Sequence, residues 1–204
     1  MRSRSSVLAT TLCLTLLSAF APAFAEDEAA PSFHGDVVAN LEATGQKLVA
    51  LAEATPANMF SWRPNKDVRS VSEVYMHIVG TNLLLPPSLG AAPPEGVEMG
   101  PQVFRLMKEW EQTVTTKDEV IAKLKESIAY AARAINSIED LDTKVELFGT
   151  PQSKRGYILI LLSHAHEHLG QSIAYARSFG VAPPWSRPRP RGDGNGEAEG
   201  QGAE

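Results

Sequence analysis

The run from Tyr157 to Arg177 constrains this chain more than any other stretch, because it is long, apolar and carries three of the five histidines. At helical pitch, steps of three and four residues return to one face, so Tyr157, Leu161, His164, His168, Gln171 and Tyr175 form a single stripe. Ile158, Leu162, Ala165, Leu169 and Ala176 form a second, apolar stripe beside it. A helix apolar over that much of its circumference belongs at the centre of a bundle. His164 and His168 are stacked one turn apart on it, and an i,i+4 histidine pair can aim two ring nitrogens at one point, as divalent-metal sites require.

The rest of the chain supplies partners for that helix. Ser32 is a plausible N-cap, and Val37, Val38, Leu41, Thr44, Leu48, Val49, Leu51 and Ala52 have helical period up to Thr55-Pro56. Ser70 and Glu73 have the spacing of a capping box that opens a second helix through Val74, Tyr75, Ile78 and Leu83, with Pro86-Pro87 as its expected end. Met59, Phe60, Trp62 and Pro64 in the connection before it read as aromatics capping one end of the core. Ser88 to Gly100 is rich in Pro, Gly and Ala and reads as an irregular crossover. Val103, Phe104, Leu106, Met107 and Trp110 suggest a short helix in this connection, over the bundle or over the mouth of a site.

Thr116 and Glu119 form another expected capping box. Ile121, Leu124, Ile128, Ala131, Ile135 and Ile138 then give the alternating three- and four-residue steps of a bundle seam. Thr150-Pro151 resembles an N-cap followed by proline at the first helical position, and Gly180 suits a left-handed C-cap before Pro183-Pro184. No stretch reads convincingly as a strand. The expected fold is therefore all-α, a four-helix bundle with a long crossover between the second and third main helices.

Outside that domain the sequence is of other kinds. Residues 1–25 read as a secretory signal, with Arg2 and Arg4 ahead of an apolar stretch from Val7 to Phe20 and a small-x-small cleavage site at Ala23-Phe24-Ala25. Residues 26–32 read as a mobile leader, 33–186 as the bundle domain, and 187–204 as a disordered tail of Pro, Gly and charged residues. Cleavage near Ala25 predicts a periplasmic or secreted protein with no stable membrane anchor. It removes Cys13, the single cysteine, so a metal must be held by His, Asp, Glu or backbone. The net charge of −5 becomes more negative without Arg2 and Arg4, which disfavours a nucleic-acid partner.

In a four-helix bundle His77, on the second helix, can face His164 and His168 on the fourth. Three imidazoles leave coordination positions open, an arrangement suited to catalysis or exchange more than to a closed structural site. The metal ligands expected are thus His77, His164 and His168, and the cofactor is a divalent ion such as Zn or Ni. Gln171, one turn after His168, is placed to orient a ligand. Glu73 could be a fourth ligand or a carboxylate behind one, but its capping role accounts for it. His166 points elsewhere and is expected outside the ligand set, hydrogen-bonded to a carboxylate; His34 is expected to be exposed or capping. Tyr75 and Tyr175 are pocket residues or core. Glu167 lies about 100° round the helix from its histidine neighbours, which argues against its being a general base.

These residues carry a resemblance. Phe60-Ser61-Trp62-Arg63-Pro64, the segment from Arg69 through Ser70 and Glu73 to His77, and His164-Ala165-His166-Glu167-His168-Leu169-Gly170-Gln171 with Tyr175-Ala176-Arg177 and Gly180 to Ser186 are similar to the DinB family of metal-binding four-helix bundles. The resemblance spans roughly residues 33–186. It implies a divalent metal on His77, His164 and His168, an open site between helices, frequent homodimers and, in some relatives, thiol-dependent transferase or isomerase activity. Leu169 stands where many relatives have Arg. The function expected is that of a metal-dependent hydrolase or group transferase acting on a small molecule, with a non-catalytic periplasmic metal- or ligand-binding protein as the alternative.

Overall fold

A computed structural model describes residues 31–186. The expected secretory signal, most of the leader and the tail from residue 187 lie outside the described residues. Among the described residues the fold is built of five α-helices and one short hairpin: α1 (Phe33–Ala54), α2 (Val71–Ser88), α3 (Val103–Thr113), α4 (Lys117–Asn136), β1 (Lys144–Leu147), β2 (Thr150–Ser153) and α5 (Lys154–Ser178). Helices α1, α2, α4 and α5 form the bundle, each of α1 and α2 packing against both α4 and α5. Helix α3 lies within the connection from α2 to α4 and packs on α2. Among the described residues no helix is long and apolar enough to cross a membrane.

Local signals account for most of the helix ends. The Ser32 hydroxyl accepts from the Gly35 amide at the start of α1, and both halves of the Ser70–Glu73 capping box are made at the start of α2. At the other end of α5, Gly180 has φ +83°, its amide reaches the Arg177 carbonyl and the Val181 amide reaches the Ala176 carbonyl. This pair of bonds is the Schellman arrangement, which glycine permits because it lacks a Cβ.

Four expectations about ends and strands are corrected. Helix α2 runs through Pro86 and Pro87 to Ser88; both prolines lie in its last turn, where their fixed φ still fits the helix. Thr116 does not cap the backbone of α4, since its hydroxyl donates to the Glu119 carboxylate instead. The final helix starts at Lys154 with Ser153 as its cap, and Thr150-Pro151 belongs to a strand. The chain thus contains a hairpin that sequence periodicity did not reveal. Its register pairs Lys144 with Ser153 and Leu147 with Thr150, leaving Phe148 and Gly149 as a two-residue turn with φ +55° and +73°. Positive φ at both turn positions matches the right-handed twist of the strands. The Tyr157 hydroxyl, at the start of α5, accepts from the Leu147 amide at 3.0 Å and faces the Leu147 and Thr150 carbonyls, so the hairpin is tied to the bundle.

The core has two adjoining parts. One gathers Leu48, Phe60, Val74, Tyr75, Ile78 and Leu124; the other gathers Leu41, Leu89, Ile135, Tyr157, Ile158 and Leu161. Phe60 is buried against Tyr75, and Trp62 meets Tyr175 and Phe179 edge-on, as expected of aromatics closing one end of the core. Gly80 is where α3 can approach α2: a Cβ there would lie 2.5 Å from Met107 Cε.

Candidate metal centre

Helices α2 and α5 bring His77, His164 and His168 together. His164 Nε2 is 3.1 Å from His77 Nε2 and 3.1 Å from His168 Nε2. One coordinating atom from each of the three lies within 4.8 Å of the others. Nitrogens that share a zinc ion at ~2.0–2.1 Å stand roughly 2.9–3.4 Å apart for angles between square and tetrahedral, so the spacing suits a common ion.

The far side of each ring decides which nitrogen carries the proton. His77 Nδ1 is 2.9 Å from Glu111 Oε1, and a carboxylate in that position only accepts. His168 Nδ1 is 2.7 Å from Gln171 Oε1, while the other end of that amide donates to the Tyr175 hydroxyl at 3.0 Å. Both rings therefore hold their proton on Nδ1 and present an Nε2 lone pair inward. A proton on His164 Nε2 could satisfy only one of its two 3.1 Å contacts. With the proton on Nδ1 instead, both contacts set lone pairs face to face, which is favourable when a cation lies between them.

The supporting groups close into a chain. Glu111 Oε2 accepts from Arg69 Nε at 3.0 Å, and the Arg69 carbonyl accepts from the Tyr175 hydroxyl at 3.2 Å. From His77 the path runs through Glu111, Arg69, Tyr175 and Gln171 to His168. Neither Glu111 nor Arg69 was assigned a role from sequence. Glu111 has no fixed spacing from any histidine because it comes from α3 in the crossover; the only hint was a carboxylate in an amphipathic segment. Arg69 appeared among the family-like residues, without an assigned partner.

Electrostatics agree with neutral ligands. Burial, then the neighbouring His168 and His77 and then Arg69, push the His164 pKa down to about 3. Burial also pushes His168 down, outweighing the Gln171 bond that favours its charged form. Burial tends to raise the Glu111 pKa, but its bonds to His77 and Arg69 win and hold it below the usual range. At neutral pH the site therefore has uncharged rings at His164 and His168 beside an ionised Glu111, the protonation states a metal requires.

The other sequence-singled residues fall outside the cluster. Glu73 is engaged by the Ser70 amide and by Arg63. His166 Nδ1 donates to the Leu162 carbonyl and its Nε2 accepts from the Thr44 hydroxyl of α1, so its partner is a hydroxyl where a carboxylate was expected. His34 Nε2 donates to the Ile138 carbonyl, tying the first turn of α1 to the chain after α4 in place of an exposed or capping role. Tyr75 is buried in the core, and Tyr175 is part of the supporting chain.

A cavity of about 850 Å³ opens off His77 and His164, bounded by α2, α3, the hairpin and α5. The connection that carries α3 thus lines this cavity as well as supplying Glu111.

The family assignment follows from the sequence match that accompanies this geometry. The family model of the DinB superfamily matches residues 40–172. The chain belongs to the DinB superfamily. Solved structures similar to this DinB chain include a DinB-like protein from Bacillus subtilis, with 19% identity, TM-score 0.56, and coverage of 72% of this chain and 93% of that one. A DinB-like protein from Bacillus cereus has 18% identity and TM-score 0.57 over 74% of this chain and 93% of that one. An uncharacterized protein from Clostridium difficile has 13% identity and TM-score 0.53 over 71% and 95%. At these identities the likeness establishes the fold alone. No curated protein matches the chain.

Proposed function

We propose that this DinB protein uses His77, His164 and His168 to hold a divalent metal ion such as Zn or Ni and acts on a small molecule by hydrolysis or group transfer. The observation that carries this reading is the inward convergence of three Nε2 atoms, with the outer nitrogens of His77 and His168 committed to Glu111 and Gln171. When bound, the ion would supply Lewis acidity toward an oxygen or sulfur of the small molecule. The chain's own residues have distinct tasks. Glu111 and Gln171 fix ring orientation and tautomer, Arg69 keeps Glu111 ionised, and the apolar cavity walls exclude water. Residues 1–25 direct the protein to the periplasm or outside the cell, with the mature chain starting near Glu26.

One observation favours a second reading, a binding protein without turnover. Both Glu111 oxygens are engaged, one by His77 and the other by Arg69, which leaves that carboxylate poorly placed to act as a general base.

Elemental analysis of protein purified without a histidine tag tests the metal centre, alongside His77→Ala and His164→Ala. Near-stoichiometric metal in the wild type and its loss in both variants are expected; a wild type that stays metal-free after reloading with Zn or Ni sinks the proposal. Ester, amide and thiol-transfer substrates then separate the readings, since the binding protein turns over none of them. N-terminal sequencing of the secreted or periplasmic material should begin near Glu26.

A further inference from the structure

We propose that the cavity beside the histidines binds an acyl-chain amphiphile, with the chain along the apolar walls and an oxygen-bearing head, such as a carboxylate, at the histidines. The placement of the head rests on the metal-centre reading above. The placement of the chain does not.

The walls come from four elements, with Leu84 on α2, Met107 on α3, Leu147 on the hairpin and Ile160 on α5. Among the described residues no Lys or Arg lines the cavity, and the one acidic residue there is Glu146. A phosphorylated ligand would lose its hydration there without meeting a cationic side chain, and the lining hydroxyls of Thr81 and Ser88 already donate to the His77 and Leu84 carbonyls, whereas an alkyl chain loses no hydrogen bond. A volume of about 850 Å³ is ample for such a chain. Met99 and Met107 also line it, and unbranched thioether side chains adapt to a flexible occupant more readily than branched ones do. Three neutral imidazoles would leave a divalent ion's charge uncompensated, which favours a head with an anionic or strongly polar oxygen.

The mouth of the cavity gives a second, independent observation. Phe104 on α3 and Phe148 on the hairpin are 60% and 72% exposed, and their rings meet edge-on with centroids 6.1 Å apart. Phe148 occupies the first central position of the two-residue turn with φ +55°. Asn or Asp ordinarily serves there, and a bulky aromatic side chain at positive φ is uncommon. An aromatic side chain held in a costly backbone conformation and left exposed at a cavity mouth is the kind of local strain that accompanies ligand binding. A chain passing between the two rings and the inner walls would cover apolar surface that is otherwise open to water.

The test is calorimetric titration of the purified protein with straight-chain carboxylates from butanoate to decanoate, below their aggregation concentrations. It is run on metal-loaded protein, metal-free protein and His164→Ala. Affinity should rise about threefold to fourfold per buried methylene until the cavity is filled. Metal removal and His164→Ala should lower every affinity by a similar factor and leave the dependence on chain length intact. Phe104→Glu, at an exposed position that the fold does not need, should weaken decanoate about tenfold or more. Phe148→Asn, which suits the turn better than the native residue, should weaken it severalfold.

Affinity that is flat with chain length, or decanoate binding unaffected by both lip variants, overturns the proposal. So does capture by phosphatidylglycerol vesicles without saturable binding of the soluble carboxylates, which would assign the aromatic lip to a membrane surface. A preserved chain-length series on a protein that takes up no metal leaves this proposal standing and removes the metal centre; a flat series on a metal-loaded protein does the reverse.

Discussion

Glu111 Oε1 lies 2.9 Å from His77 Nδ1, although the two residues belong to different helices and are 34 positions apart. The short crossover helix α3 thereby reaches into the cluster that α2 and α5 form. Glu111→Gln keeps an acceptor near His77 but removes the charge shared with Arg69, and such outer partners typically govern metal affinity by ~10–100-fold. A loss in that range is expected for Glu111→Gln and a larger one for Glu111→Ala, measured by competition with a chelator of known affinity. Unchanged affinity in both variants would show that His77 is oriented by other groups.

Gln171 is the corresponding group behind His168. Gln171→Leu removes the acceptor for Nδ1–H and frees the ring to adopt the other tautomer, so metal affinity should fall about tenfold. Tyr175→Phe leaves Gln171 in place but removes its partner, and a loss of only a few-fold is expected in the same titration. The order of the two effects is the diagnostic result, because a purely steric role for this side of the site would make them equal.

The metal-free protein should become more stable as pH rises from acid toward neutrality. His164 has a folded pKa of about 3 against an ordinary value of 6.5, so between those values the unfolded chain binds a proton that the folded one does not. Stability is then fully present above pH 6.5 and declines on acidification toward pH 3, by up to ~1.4 kcal/mol per pH unit for one group. His168 is depressed as well and adds a decline of the same sign below 6.5. Glu111 is lowered from 4.5, so its contribution is present above 4.5 and disappears at more acid pH. Urea denaturation at pH 5 and pH 7.5 should show this slope, and His164→Leu should flatten it.

Gly80 sets the approach of α3 to α2. In Gly80→Ala the new methyl would meet Met107 Cε at 2.5 Å, with Met107 Cγ at 3.1 Å behind it. The helix-propensity gain of about 1 kcal/mol offsets much of an overpacking cost of ~1–3 kcal/mol, so the melting temperature should change little. Displacing α3 carries Glu111 away from His77, and metal affinity should drop more than stability does. Equal losses in both would indicate that the helices repack with α3 still in register.

Tyr157 fastens the hairpin to α5 through its hydroxyl. Tyr157→Phe leaves the Leu147 amide without that acceptor, and a destabilisation of about 1–3 kcal/mol is expected by chemical denaturation. Hydrogen exchange should quicken at the strand amides before it does in the bundle helices. Uniform quickening across both would mean that the hairpin and the bundle open as one unit.

What the sequence by itself determined is what repeats at short range. The stripe through Tyr157, His164, His168 and Tyr175, the Ser70–Glu73 capping box and the Gly180 terminus are written in spacings of three and four residues, and each is formed. His77 became a candidate partner for the α5 pair because a bundle must set its helices side by side.

Only the tertiary structure decided the rest. The hairpin was hidden because two strands of four residues are too short for a clear alternation, and the Phe148–Gly149 turn lacks the usual Asn or Asp. Glu111, Arg69 and the Phe104–Phe148 lip could not be read either, since each meets its partner across a crossover whose path no periodicity records. Helical spacing carries information over one or two turns, and which side chains lie behind a histidine or over a cavity is settled by packing between distant segments.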